Sequence, residues 1–143
     1  MITFEEYLGQ HGSGHESELT DELLSNAKVI VDKANKLLAA FGEERGLRSG
    51  WRPKLVNDAT PNASHSSKHI TCQAIDIEDD DKRLQDWCQA NRGENLIPLG
   101  LFMEAKIATP SWLHVQIVPP GSGLRVFYPN AKWAARAIEE GLA

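Results

Sequence analysis

The sequence is poor in cysteine, has no long apolar run and carries no excess of positive charge. Its two cysteines, Cys72 and Cys88, form no CxxC pair and are too few for a disulfide framework or a four-cysteine metal module. A reducing compartment is the simplest reading. No stretch approaches the roughly 20 apolar residues that cross a bilayer, so no membrane partner is expected. Lys and Arg number 15 against 20 Asp and Glu, a net charge of −5. With no basic run, this excludes a general nucleic-acid binder. Repeats and low-complexity segments are absent too.

What is present suits one soluble domain. A chain of 143 residues buries roughly 68–70% of its unfolded surface and needs no staple. The composition, 41% hydrophobic and 24% charged, is ordinary for a globular protein. A short helix is expected near Thr3–Leu8, then a Gly/Ser/His-rich loop over 9–18. Leu23, Ala27, Ile30, Ala34, Leu37 and Phe41 recur at the period of one buried helical face. Thr20 suits its N-cap, Asp21 and Glu22 its first turn and Gly42 its stop. Leu47–Gly50 reads as a short strand entering the turn Trp51-Arg52-Pro53. The polar stretch 54–68 reads as a loop long enough to suggest function. Ala74–Glu78, Leu99–Met103, Trp112–Val118 and Arg125–Tyr128 read as strands. A helix capped within Asp79–Asp81 is expected to run to about Ala90, and a last helix spans about 130–141, with Asn130 as its cap. Strands and helices in separate runs predict an α+β fold with a small antiparallel sheet flanked by helices. The expected layout is a helical part over about 1–45, a core over about 46–128 and the terminal helix.

The chemistry concentrates in SSKHITCQAID and WLHVQ. Strand alternation places Ala74, Asp76 and Glu78 on one face and Ile75 and Ile77 on the other. It likewise groups Trp112, His114 and Gln116 against Leu113, Val115 and Ile117. A carboxylate inside such a strand must be exposed, paired or metal-bound. Neighbouring strands could present Asp76 and His114 to one space, with His69 arriving from the polar loop. Two imidazoles and one carboxylate make a three-ligand catalytic zinc site, and purely N and O donors favour zinc over softer-ligand metals. On pattern alone the alternative stands: an ordinary strand-end carboxylate and two surface histidines.

SGWRP, then S-x-H-x6-D, then W-x-H-x-Q resembles the M15 peptidases: D-Ala-D-Ala carboxypeptidases and dipeptidases and phage L-alanyl-D-glutamate endolysins, with which the Hedgehog signalling domain shares its fold. The likeness runs from about Leu47 to Tyr128, and the SGLRVFYP stretch is most similar to small phage and prophage members. It implies the Hedgehog/DD-peptidase fold, one Zn2+ held by His69, Asp76 and His114, Ser67 in the S-x-H step and Arg52 as the arginine of the SGYR-type motif. It implies a peptidoglycan stem peptide as substrate and partner, with the chain acting as a monomer. Two positions depart from the pattern. Cys72 stands where the family usually has glycine, so the local loop is expected to differ. Ser111 stands where the catalytic acid often sits, and serine is no base at neutral pH.

A zinc peptidase needs a carboxylate to take a proton from water and pass it to the leaving amine. Glu104 is the nearest upstream carboxylate, and FMEAK…WLHVQ is similar to the Hedgehog-type YYESK…HIHC arrangement. A hairpin of 99–103 with 112–118 would put Glu104 at its tip, either over the metal or in solvent. Arg52 suits a substrate carboxylate, a developing oxyanion or a structural ion pair. Gln116 could donate to substrate or orient a ligand, and Trp112 could be pocket wall or core. His65 reads as a solvated loop residue, and His11 and His15 have no Asp or Cys at ligand spacing. Cys72 reads as a buried free thiol rather than a fourth ligand. The N-terminal MITFEEYLGQHGSGHESE lacks the basic and apolar regions of a Sec signal, so a wall enzyme is expected to leave by lysis or in a phage particle. The rival expectation is a non-catalytic, zinc-containing virion, tail or wall-binding protein, which Ser111 favours.

Overall fold

In this computed structural model residues 1–61, 63–129, 139 and 141 are described. The helix expected over about 130–141 falls almost wholly outside them. The elements are α1 (Phe4–Gly12), α2 (Asp21–Phe41), β1 (Leu47–Ser49), α3 (Lys54–Ala59), β2 (Ala74–Glu78), α4 (Arg83–Ala90), α5 (Arg92–Asn95), β3 (Phe102–Glu104), β4 (Trp112–Gln116) and β5 (Val126–Phe127). They form a five-stranded sheet in the order β1-β2-β4-β3-β5.

The long helix follows the sequence pattern. Thr20 Oγ1 accepts the Leu23 amide at 3.1 Å, and Gly42 ends α2 in the left-handed region at φ 90°, which glycine enters without steric cost. Ala27, Ile30, Ala34 and Leu37 are fully buried and join Ile75 and Ile77 of β2 in one core. Each large side chain buried there contributes about 1.5–3 kcal/mol. The aliphatic face of the sheet is thus covered by α2, which leaves Asp76 and His114 on the other face. The strand β2 itself is buried on both.

Several expected boundaries move. The first helix extends to Gly12, and a 3-10 turn occupies Glu16–Glu18. The 9–18 loop is therefore half helical, because Gly12 sits under the Trp51 ring and tertiary packing outweighs its weak helix propensity. Within the expected loop 54–68, Lys54–Ala59 forms α3. Its single turn and a half buries Asn57 rather than an apolar stripe, so no periodicity marks it. Asp79 does cap α4: its two carboxylate oxygens accept the Leu84 and Gln85 amides at 3.0 and 2.8 Å. The strand β3 begins at Phe102 rather than Leu99 and includes Glu104. It pairs antiparallel with β4 but parallel with β5, the one parallel pair among the described residues.

Candidate metal centre

The register of the central ladder assembles the site. Asp76 lies opposite His114 in the β2–β4 pairing. A β1 irregularity between Leu47 and Ser49 brings Ser49 opposite Asp76, as a bulge re-aims a strand. The β3–β4 register, Phe102 with Gln116 and Met103 with Val115, continues to place Glu104 beside His114. Serine, aspartate, histidine and glutamate therefore form one row across four strands.

His69 joins the row from outside the sheet. Its backbone is fixed by the Ser67 Oγ, which accepts its amide at 3.2 Å, and by the Arg52 amide, which donates to its carbonyl at 3.2 Å. Its Nδ1 donates to Gly50 O at 2.9 Å, which leaves Nε2 with a lone pair aimed inward. Gly50 itself has no room for a side chain: a Cβ there would stand 2.3 Å from Tyr7 O. Trp51 N donates to that same Tyr7 carbonyl at 3.0 Å, and the Tyr7 hydroxyl donates to Ala74 O at 2.7 Å. The helix α1 is thereby tied to the carbonyl that orients His69.

His114 is oriented in a complementary way. Gln116 Nε2 donates to Val118 O at 2.7 Å, so its Oε1 faces His114 Nε2 at 2.9 Å. This directs His114 Nδ1 to Asp76 Oδ1 at 2.8 Å. His69 Nε2 lies 3.2 Å from the same oxygen, yet in a geometry that leaves it without a hydrogen bond although it is buried. The ligand atoms of His69, Asp76 and His114 all lie within 4.8 Å of one another. A buried imidazole lone pair with no donor to receive is costly, and a cation is the partner that would satisfy it. Each histidine's other ring nitrogen is held by an oxygen, the outer support typical of metal-ligating imidazoles. The donor set of two nitrogens and one carboxylate fits zinc.

Electrostatics agree. Burial alone would raise the Asp76 carboxyl, but the pull of His69 and the hydrogen bond from His114 hold it well below the usual carboxylate range. Burial opposes protonation of His114, yet Asp76 beside it pushes the imidazole up to about 9. Burial lifts the Glu104 carboxyl above its usual range, His114 opposes this and Asp76 adds to it. Such a raised carboxyl in a cleft suits a proton carrier.

These residues form the floor of a cavity of about 1140 Å³. Glu104, Arg52, Ser67, Trp112 and Gln116 all line it. Glu104 ends β3 rather than forming a hairpin tip. Trp112 is wall, not core, with the Arg48 guanidinium 4.5 Å over its ring. Gln116 orients His114. Arg52 donates from Nε to Ser49 Oγ and from Nη1 to Asn57 Oδ1, both at 3.2 Å, and its Nη2 lies 3.6 Å from Asp76 Oδ2. That is the ion-pair alternative, made at the cavity wall. Ser111 Oγ accepts from Arg48 Nη1 at 3.2 Å. His65 is an exposed partner of Asp58, and His15 pairs with Glu18.

Cys72 corrects an expectation. The residue adopts the left-handed conformation that it was expected to resist, at φ 56°. Burial pushes its thiol up to about 12, which keeps it a neutral core group and no ligand. Sequence reasoning set His11 aside as a loop residue, but it lies in the last turn of α1, lines the cavity and has Nε2 3.4 Å from Ser49 Oγ. Burial lowers its imidazole below the usual value, with Arg52 adding to the effect. Sequence reasoning missed Gly50, whose signal was the glycine in SGWRP.

A family model described as Peptidase M15 matches residues 7–115. No curated protein and no solved structure matches the chain.

Proposed function

The chain belongs to the peptidase M15 family, a family of zinc-dependent peptidases, and from that premise we propose that it hydrolyses peptide bonds in the stem peptides of bacterial peptidoglycan. The observation that carries the catalytic reading is the buried, unpartnered His69 Nε2 converging with Asp76 and His114 on a cavity floor beside Glu104. His69, Asp76 and His114 would hold the metal. Bound there, zinc would supply Lewis-acid polarisation and make water acidic enough to react at neutral pH.

The protein's own groups divide the remaining work. Glu104 takes a proton from the attacking water and returns it to the leaving nitrogen. Gly50 O and Gln116 Oε1 keep the two imidazoles turned inward. Arg52, 3.6 Å from Asp76 Oδ2, adds positive potential beside the carbonyl under attack. A phage or prophage lysin, or a virion-associated peptidase, is the biological role that the SGLRVFYP likeness supports. No helix among the described residues is long and apolar enough to cross a membrane.

Exchange of Glu104 for Gln tests the assignment. Zinc content should stay at one per chain, while release of new termini from purified peptidoglycan, read by mass spectrometry, should fall about 10²- to 10⁴-fold. Asp76→Ala should lose the zinc itself. The rival reading, a non-catalytic zinc-containing virion or wall-binding protein, draws on Ser111, whose hydroxyl is bound to Arg48 and supplies no acid. A zinc-loaded wild-type protein that binds peptidoglycan and releases no termini would establish that rival.

A further inference from the structure

Among the described residues three full cations line the cavity: Arg48, Arg52 and Lys68. In a chain with a net charge of −5 this is a local reversal, and two of the three are already engaged. Arg52 contacts Ser49, Asn57 and Asp76. Arg48 holds Ser111 Oγ, stacks on Trp112 and lies 3.6 Å from Glu78 Oε2.

Lys68 differs. It is half-buried on the cavity wall, one residue before His69. Its carbonyl is anchored by the Gln73 amide at 2.9 Å, so the side chain departs from a fixed backbone. Among the described residues its ammonium has no carboxylate, hydrogen-bond or ring partner. An ammonium on a cavity wall with no such partner is open to an anion. Ser64, Ser66 and Ser67 line the same cavity.

We propose that Lys68 is a specificity-determining residue that binds a carboxylate of the substrate. The preferred peptide then carries a free carboxylate that reaches the cavity wall beside His69. This rests on the peptidase reading.

The test uses the zinc-loaded full chain and a stem pentapeptide in three forms: both carboxylates free, the glutamate carboxyl amidated, or the C-terminal carboxyl amidated. Wild type should prefer the free form over one amidated form by about 10-fold or more in KM, the scale of a charge-assisted hydrogen bond. Lys68→Met should bring that ratio close to one, and Lys68→Arg should restore part of it. Zinc content measured alongside separates loss of the subsite from loss of the metal. Calorimetry with the Glu104→Gln protein reads the same preference without turnover. Cleavage with no carboxylate preference, or a preference that survives Lys68→Met, overturns the Lys68 assignment alone. Preferential binding without cleavage by wild type supports the subsite and overturns the peptidase reading. Neither cleavage nor preference overturns both.

Discussion

Asp76 and His114 meet across a regular antiparallel ladder, whereas His69 reaches them from a segment with no ladder. The strand pair is positioned by period-two geometry: one slip in register would turn both ligands to the aliphatic face under α2. The loop ligand is positioned by long-range contacts instead, through Gly50 O, the Arg52 amide and Ser67 Oγ. Those contacts in turn need α1 docked on Gly50. Half of the centre is therefore as robust as the sheet, and half is as robust as the seat of one short helix.

The largest expected effect breaks the loop half. Gly50→Ala drives a methyl against Tyr7 O and should cost at least about 3 kcal/mol, the upper range of overpacking against backbone. Gly46→Ala is the control. A Cβ there meets only Glu78 Cγ at 3.8 Å, so urea unfolding should barely change. Equal midpoints for the two variants would refute the account of α1 docking.

The strand half is probed by Gln116→Leu. Removing the acceptor that orients His114 should weaken zinc binding about 10- to 100-fold, with the unfolding midpoint of the metal-free protein little altered. Competition with a chromophoric chelator measures it. Unchanged affinity would mean that the ladder alone aims the imidazole.

A pH effect belongs to the loop half. The Cys72 thiol stays neutral in the folded protein up to about 12, against 9.0 when unfolded. The folded state then binds more protons than the unfolded one in that window. Stability is full below pH 9 and falls toward pH 12, by up to about 1.4 kcal/mol per pH unit for this thiol. Cys88, also pushed up to about 12 by burial, adds a like share. Urea unfolding at pH 8.5 and 10.5 should show the loss, and Cys72→Ala should remove its part of the slope.

The smallest effect is expected of Cys72→Gly. Relief of a left-handed non-glycine residue is worth about 1–2 kcal/mol. Lost burial and added unfolded-state freedom offset it. Stability should stay within about 1 kcal/mol of wild type, and a larger drop would assign Cys72 a packing role beyond filling its place.

Much of the strand half was legible. Alternation separated Asp76 and His114 from the isoleucines, and the Thr20 and Gly42 signals bracketed α2. His69 was a candidate from the residue pattern, strengthened by the S-x-H likeness to a known family; nothing in a polar loop says where it will fold. The carboxylate at Glu104 was found by elimination, with its place in the row still open. The roles of Arg52 and Gln116 had two readings each. The unpartnered state of Lys68 had no signal, since pairing depends on which carboxylates come within reach.

By itself the sequence determined what local rules govern: the buried stripe of α2, its caps, the two faces of β2 and β4, and a donor set suited to zinc. Only the tertiary structure decided which residues of distant segments touch. The glycine beneath Tyr7, the parallel seating of β5, the turning of Arg52 onto Asp76 and the meeting of His69 with the sheet all depend on contacts between residues far apart in the chain. Periodicity and propensity act over a few residues, whereas a site built from both loop and sheet forms only when the packed core brings them together.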